Sequence, residues 1–132
     1  MKILKYTLFS ITAAILASCN SAPAEDAPTK CYEREIKMGG NTKDRFELFI
    51  TQVNDVEVKG TFNWLPAQKD SRKGTFDGKV ADKLIMGDYT FTQEGKTQSV
   101  PIIIDLTTSK AVIKGADNSF GMEVTLNPTK CK

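Results

Sequence analysis

The sequence predicts an all-β fold, a single small antiparallel meander that closes as a barrel or folds as a barrel-like sandwich. From Cys31 onward, apolar residues alternate with polar ones, which is the period of a half-buried strand. Short segments of turn-forming residues separate the alternating runs, and no run has the i, i+3, i+4 apolar spacing of an amphipathic helix. About eight short strands in a chain of this size suit a meander barrel.

The first 18 residues are interpreted as an export signal and not as part of the fold. Lys2 and Lys5 precede a nearly apolar run over residues 6–16, which is too short for a bilayer that needs about 20 residues. The run leads into Leu-Ala-Ser-Cys at residues 16–19, which resembles the lipobox of bacterial lipoproteins. That resemblance implies cleavage before Cys19 and a lipid on its thiol. The alternative is an ordinary signal peptide followed by an incidental cysteine.

Residues 19–30 are polar and rich in Pro and Ala, which is typical of a flexible tether. Fully extended, such a tether reaches about 35 Å. The folded domain is therefore expected over residues 31–132. Several acyl chains on one residue would hold the protein stably on a membrane. We expect a lipid-anchored protein of the cell envelope, with the outer membrane as its location.

Cys31 and Cys131 remain once Cys19 is assigned to lipid, and they flank the alternating region. An isolated pair of cysteines in an oxidising compartment favours a disulfide. This bond would join the first strand to the last. The alternative is a pair of free, buried thiols.

The strands follow one another with recognisable turns between them. The clearest run is residues 56–64, where Val58 and Phe62 alternate with Lys59 and Thr61. Further strands are predicted over residues 46–51, 74–80, 84–91, 100–106, 110–114 and 120–126. The turn residues are Asn54-Asp55, Asp70-Ser71, Asp82, Glu94-Gly95 and Asp117-Asn118.

A glycine followed two residues later by an aromatic recurs in three of these strands, beginning at Gly60, Gly74 and Gly87. Both residues of such a pair face the same side of a strand. The glycine lets the sheet bend or lets an aromatic ring from a neighbouring strand lie over it. We expect one continuous core face that includes Gly60, Phe62, Gly74, Phe76, Tyr89 and Phe91. The alternative is that the aromatic side chains line a ligand site.

The middle of the chain resembles a group of small, functionally uncharacterised lipoproteins of Gram-negative bacteria. The matching motifs are Gly60-Thr61-Phe62, Lys69-Asp70, Gly74-Thr75-Phe76-Asp77-Gly78, Asp88-Tyr89-Thr90-Phe91 and Glu94-Gly95. They cover about a third of the chain, and after Ser99 the sequence departs from that pattern with Pro101 and three isoleucines. The resemblance implies an envelope location and a β fold, and it implies no activity.

Composition excludes several functional classes. The chain has 18 Lys and Arg, of which two lie in the signal, so 16 remain against 16 Asp and Glu. This balance argues against a nucleic-acid partner. With no histidine and no unpaired cysteine expected, the usual bases, nucleophiles and zinc ligands are missing. We expect no catalytic residue, no metal site and no cofactor.

Five residues are candidates for binding: Trp64, Lys69, Asp70, Asp88 and Glu94. Trp64 ends a strand near the rim, where it could anchor a partner or plug the barrel. Asp88 could instead form a cross-strand ion pair with Lys69 or Lys73. A pair of carboxylates among Asp70, Asp77, Asp88 and Glu94 could support glycosidase chemistry only across a cleft.

The function expected from the sequence is a non-enzymatic binding module for a small apolar ligand or a protein partner. The alternative is an envelope inhibitor or accessory protein directed at a hydrolase, by analogy of fold and location alone. The barrel interior separates the possibilities. An open apolar lumen favours a ligand, whereas a lumen filled by side chains, with an exposed loop patch, favours a protein partner.

Overall fold

The computed structural model describes residues 27–132, which form a closed barrel of eight antiparallel strands in sequence order. The all-β barrel predicted from the sequence is thus confirmed. The strands are β1 (Lys30–Gly39), β2 (Thr42–Gln52), β3 (Glu57–Leu65), β4 (Arg72–Ala81), β5 (Leu84–Gln93), β6 (Lys96–Asp105), β7 (Ala111–Gly115) and β8 (Glu123–Thr129). The predicted signal, Cys19 and residues 19–26 of the predicted tether lie outside the described residues.

The last residues of the predicted tether belong to the barrel. The backbone N–H of Thr29 donates to the carbonyl of Ile50 at 2.7 Å, and Lys30 is the first residue of β1. The sequence did not indicate this start because Lys30 is charged. An exposed strand position can pair through its backbone without an apolar side chain.

Other strand starts also differ from the predicted ones, with β2 beginning at Thr42 instead of residue 46 and β4 at Arg72 instead of residue 74. β6 begins at Lys96 instead of residue 100, because Thr97 and Ser99 pair with β5 although their side chains are exposed. β8 begins at Glu123, so Phe120 lies in the β7–β8 loop. Phe120 is nevertheless completely buried. Its apolar character therefore reflects core packing and not membership of a strand.

The core fills the inside of the barrel. It is formed mainly by the side chains of alternate strand residues, which point inward. The largest fully buried side chains are Tyr89, Phe62, Phe76, Phe91, Phe120, Leu48, Ile85, Ile102, Ile104, Ile113 and Leu126. Aromatic rings contact one another at its centre, with Phe62 and Tyr89 edge-on at 5.7 Å between centroids. This arrangement confirms the single core face that the glycine–aromatic repeat predicts.

Two glycines of the repeat make this aromatic packing possible. Gly60 lies opposite Phe76 on the neighbouring strand, and a Cβ on Gly60 would come within 2.6 Å of the Phe76 ring. Gly74 lies opposite Phe91, and a Cβ there would meet both Phe91 and Tyr89 at 2.7 Å. No side chain fits at either position, so each ring lies directly against a neighbouring backbone.

The strand order divides the turns between two ends of the barrel, which we call proximal and distal. The proximal end holds the start of β1, the end of β8 and the turns β2–β3, β4–β5 and β6–β7. The distal end holds the turns β1–β2, β3–β4, β5–β6 and β7–β8. The described chain therefore enters the barrel at its proximal end.

The barrel closes through a short seam between its first and last strands. β1 and β8 share only the register from Cys31↔Thr129 to Glu33↔Asn127. The Cys31–Cys131 disulfide lies at the proximal end of this seam and joins residues separated by 100 positions. The predicted disulfide is thus confirmed. Further along the seam, the Arg34 guanidinium donates to the carbonyl of Thr125 at 3.4 Å.

No helix within residues 27–132 is long and apolar enough to cross a membrane.

Candidate functional site

The lumen of the barrel is occupied by side chains. Phe62, Tyr89 and Phe120 meet at its centre, with each ring 5.7 to 5.9 Å from the next, and none is exposed to solvent. The Tyr89 hydroxyl donates to the carbonyl of Phe62 at 2.7 Å. This bond satisfies the one polar atom at the end of that ring. Binding surfaces must therefore be sought on the outside of the barrel and at its ends.

Arg72, the first residue of β4, closes the distal end of this core. Its guanidinium lies 4.3 Å from the centroid of the Phe91 ring. It donates to the Phe120 carbonyl at 2.9 Å and to the Gln93 side chain at 3.0 Å. Partial burial lowers the pKa of Arg72. The arginine thus binds the β7–β8 loop to the barrel and also covers an aromatic face.

Beside this arginine, a small cleft of about 190 Å³ opens at the distal end, and we call it the tryptophan cleft. It is lined by Met38, Thr42, Asp44, Trp64, Pro66, Ala67, Gln68 and Lys69. The Trp64 ring is half-buried and stacks on Phe46 at 6.3 Å between centroids. The Asp44 carboxylate accepts from the Ala67 backbone N–H at 3.1 Å and fixes the β3–β4 loop at one wall.

Trp64 contacts both the core and a surface cleft. Its stacking on Phe46 extends the core to the rim, while its remaining surface lines the tryptophan cleft. The indole Nε1–H is buried and has no acceptor among the described residues. Met38, across the cleft, has 60% of its surface exposed. The cleft therefore offers an aromatic face and a flexible thioether.

The remaining distal candidates lie in a second, polar pocket of about 520 Å³ between the β3–β4 loop and the β5–β6 turn. Its lining residues are Asp70, Ser71, Lys73, Thr92, Gln93, Glu94 and Gly95. Asp70 and Glu94, predicted separately, thus share one pocket, and both side chains are exposed.

Asp88 is not at the distal end, and its predicted ion pair is wrong. The register places Asp88 opposite Asp77 on β4 and Pro101 on β6, whereas Lys73 lies opposite Thr92. None of the ion pairs found within residues 27–132 includes Asp88. The prediction failed because strand register, which decides cross-strand neighbours, cannot be derived from one strand's alternation.

The outer wall carries a groove that sequence reasoning missed. It measures about 380 Å³, and Pro28, Phe49, Thr51, Gly60 and Thr61 are among its lining residues. Phe49 points outward between the inward Leu48 and Ile50, and its side chain is only half-buried. An aromatic at a polar position of the alternation was the signal that could have revealed it.

The predicted binding residues lie close to one another at the distal end. Within residues 27–132, no group of three or more His, Cys, Asp or Glu could hold a metal ion. Lys69 and Trp64 share the tryptophan cleft, and Asp70 and Glu94 share the polar pocket beside it. The distal end thus gathers four of the five predicted binding residues into two adjoining pockets.

Arg72 is the residue at this end that the sequence analysis did not identify. It follows the turn residues Asp70-Ser71, where a basic side chain is ordinarily solvated. Its position two residues before Gly74 in the alternation placed it on the inward face, and this was the available signal.

Comparison with family models, with curated proteins and with solved structures finds no match to the chain.

Proposed function

We propose that this chain is a lipid-anchored β-domain of the cell envelope that binds a protein partner through its distal end and catalyses no reaction. The observation that carries the proposal is the filled lumen. Aromatic side chains occupy the space where a small apolar ligand would bind in an open barrel. The loop surface around Trp64 is then the best-equipped site for recognition.

The size of the tryptophan cleft supports a protein partner over a free small molecule. Ligand pockets commonly enclose about 300–1,000 Å³, whereas this cleft measures about 190 Å³. A single side chain of a partner would fill it. Tryptophan is enriched among residues that dominate protein interfaces, because a large ring is buried at low entropic cost.

Site-specific photo-crosslinking in cells tests the binding surface. We expect a crosslinker at Gln68, an exposed residue of the tryptophan cleft, to capture a discrete protein. The control is the same crosslinker at Lys114, which is exposed on the wall strand β7. The Trp64→Ala change should abolish the Gln68 product while the chain remains folded by circular dichroism. Equal crosslinking from both positions would refute a distal binding surface.

The identity of the captured protein distinguishes the two kinds of partner. A hydrolase whose activity falls when the purified chain is added would assign the inhibitor function. A structural envelope protein would assign an accessory function. The absence of any crosslink at Gln68, with the chain present in normal amounts, would contradict the proposal.

The anchor is tested independently at Cys19. We expect the wild-type chain to incorporate a fatty-acid probe and to sediment with membranes. Cys19→Ser should lose the label, and the chain should become soluble because its only acylated residue is gone. Undiminished membrane labelling of the variant would contradict the anchor.

A further inference from the structure

The proximal end of the barrel holds most of the exposed large hydrophobic side chains among the described residues. Among residues 27–132, five large hydrophobic side chains are exposed, and only Met38 is distal. The other four are Val53 (47%), Val56 (50%), Leu84 (38%) and Met86 (61%). All four lie in or next to the β2–β3 and β4–β5 turns, so they share one end of the barrel. We call them the proximal apolar patch.

Hydrogen bonds and strand pairing hold these four residues close together. Val53 and Met86 line the same pocket on the outer wall, whose lining also includes the charged residues Glu57, Lys59, Asp77, Lys79 and Asp88. The carbonyl of Val56 accepts from the backbone N–H of Val80 at 2.7 Å, which connects the first turn to β4. Leu84 pairs with Ala81 across the second turn. The patch is therefore a surface formed by two adjoining turns and not four scattered residues.

The same end receives the chain from the proposed anchor. β1 begins beside the end of β2, with Lys30 opposite Ile50. Seven residues separate Cys19 from Ala27, the first described residue. Fully extended, such a segment reaches only about 25 Å. A lipid on Cys19 would thus keep the proximal apolar patch within a short distance of the bilayer surface.

We infer that the proximal apolar patch docks on the phospholipid surface, so that the barrel stands on the membrane with its distal end directed outward. This orientation rests on the proposed lipid anchor, which supplies the tether. Val53, Val56, Leu84 and Met86 would enter the boundary between headgroups and acyl chains, which removes apolar surface from water.

Charge does not oppose this orientation. The charged residues of the proximal turns, the chain ends and the pocket beside Met86 are the lysines Lys30, Lys59, Lys79, Lys83, Lys110, Lys130 and Lys132 and the carboxylates Asp55, Glu57, Asp77, Asp82, Asp88 and Asp105. This near balance means that attraction to anionic lipid is a small contribution. Apolar contact at the two turns is the main one.

A tethered-vesicle experiment tests the orientation without requiring natural lipidation. Residues 19–132 with Cys19→Ser would carry an N-terminal hexahistidine tag and bind to phosphatidylcholine vesicles that contain a nickel-chelating lipid. The chain has no histidine of its own, so the tag is the only tether. In separate preparations, an environment-sensitive NBD fluorophore is placed on Met86→Cys and on Met38→Cys, whose native side chains are almost equally exposed at 61% and 60%.

We expect the label at position 86 to shift to the blue on tethering and to be quenched about twofold by doxyl-labelled lipid, because a docked apolar group lies about 5–10 Å into the boundary region. The label at position 38 should keep its aqueous emission. Adding Val53→Asp to the Met86→Cys chain should restore aqueous emission there, while Thr97→Asp on the distal part of β6 should not.

Three results would overturn the inference: an unchanged label at position 86, equal quenching at both positions, or a blue shift at position 86 that depends on protein density and not on doxyl lipid. The last would assign the patch to contact between two copies of the chain. Because the tag replaces the natural anchor, a failure of Cys19 lipidation in cells leaves this test unaffected. The two hypotheses therefore fail separately.

Discussion

Three phenylalanines show how the direction of a side chain determines its contribution to stability. Phe62 and Phe76 point inward and are 0% and 1% exposed, whereas Phe49 points outward and is half-buried. We expect Phe62→Ala and Phe76→Ala each to lower the free energy of unfolding by about 3–5 kcal/mol, because each leaves a cavity in the packed core. Phe49→Ala should cost clearly less, and urea unfolding of the three variants measures the difference. Equal losses would contradict the assigned directions.

Tyr89 gives the barrel a specific response to alkaline pH. Burial raises the pKa of its hydroxyl well above the ordinary value of 10.0. Burial also raises the pKa of Tyr32, in the same direction. Because folded Tyr89 holds its proton to higher pH than the unfolded chain, its stabilising contribution is complete below about pH 10 and is lost as the pH rises toward the folded pKa.

We therefore expect the free energy of unfolding to fall as the pH rises above about 10. Tyr89→Phe should make this fall shallower, while it removes the bond to the Phe62 carbonyl at a cost of about 1–2 kcal/mol at neutral pH. Denaturant titrations across this range measure both effects. An identical alkaline slope in the variant would assign the pH dependence to other groups.

At the scale of the elements, Arg72 couples the start of β4 to the β7–β8 loop. Its guanidinium lies over Phe91 and donates to the Phe120 carbonyl. We expect Arg72→Ala to cost about 1–2 kcal/mol, since a charge-assisted bond and a cation–π contact are lost at a half-buried site. Hydrogen exchange should increase in residues 116–122. The exposed neighbour Lys73 provides the control, because Lys73→Ala should change little.

The differences between sequence and structure follow from where each element obtains its stability. Alternation identified the strands around Val58, Phe62 and Phe76, because burial on one face leaves a period of two. It missed the polar start of β6, which is stabilised by backbone pairing to β5 and by hydrogen bonds of the Thr97 and Ser99 hydroxyls to threonines of that strand. It also assigned Phe120 to a strand, because one buried aromatic looks the same in a loop and in a strand.

The candidate site was predictable to a lesser extent. The sequence analysis identified four of the residues one at a time: Trp64, Lys69, Asp70 and Glu94. The predicted turns at Asp70-Ser71 and Glu94-Gly95 place them at one end of the meander. The neighbours of Asp88 depended on register between strands, which no single segment contains. Arg72 was missed because its inward direction depends on where β4 begins, and a turn sequence does not fix that boundary to one residue.

At the scale of the whole molecule, closure of the barrel depends on the seam between β1 and β8. Only three residue pairs form it, and the Cys31–Cys131 disulfide adds a covalent link across 100 positions. In the chain-entropy model, a loop of about 100 residues makes such a bond worth about 4–5 kcal/mol. We expect Cys31→Ser with Cys131→Ser to lower the free energy of unfolding by that order.

Hydrogen exchange distinguishes local opening of the seam from general weakening. Without the disulfide, amides of Tyr32 and Glu33 should exchange faster relative to those of β3 and β4, because the seam has the fewest pairs of any strand contact in the barrel described here. Uniform acceleration in all strands would show that the bond stabilises the barrel without specifically holding the seam. Reduction of the wild-type chain should reproduce the double variant.

Because β1 and β8 are neighbours, the chain could begin at a different strand without a change in the order of strands around the barrel. Since β1 starts where β8 finishes, a short peptide could join the two ends, and the chain could be reopened at Glu94-Gly95 in the β5–β6 turn. Such a circular permutant would keep every strand pair and would lose only the peptide bond between Glu94 and Gly95. Its new amino terminus would lie beside the polar pocket, so a lipid attached there would invert the barrel on the bilayer. The tryptophan cleft would then face the lipid, and a partner that binds it in solution would be excluded at the membrane.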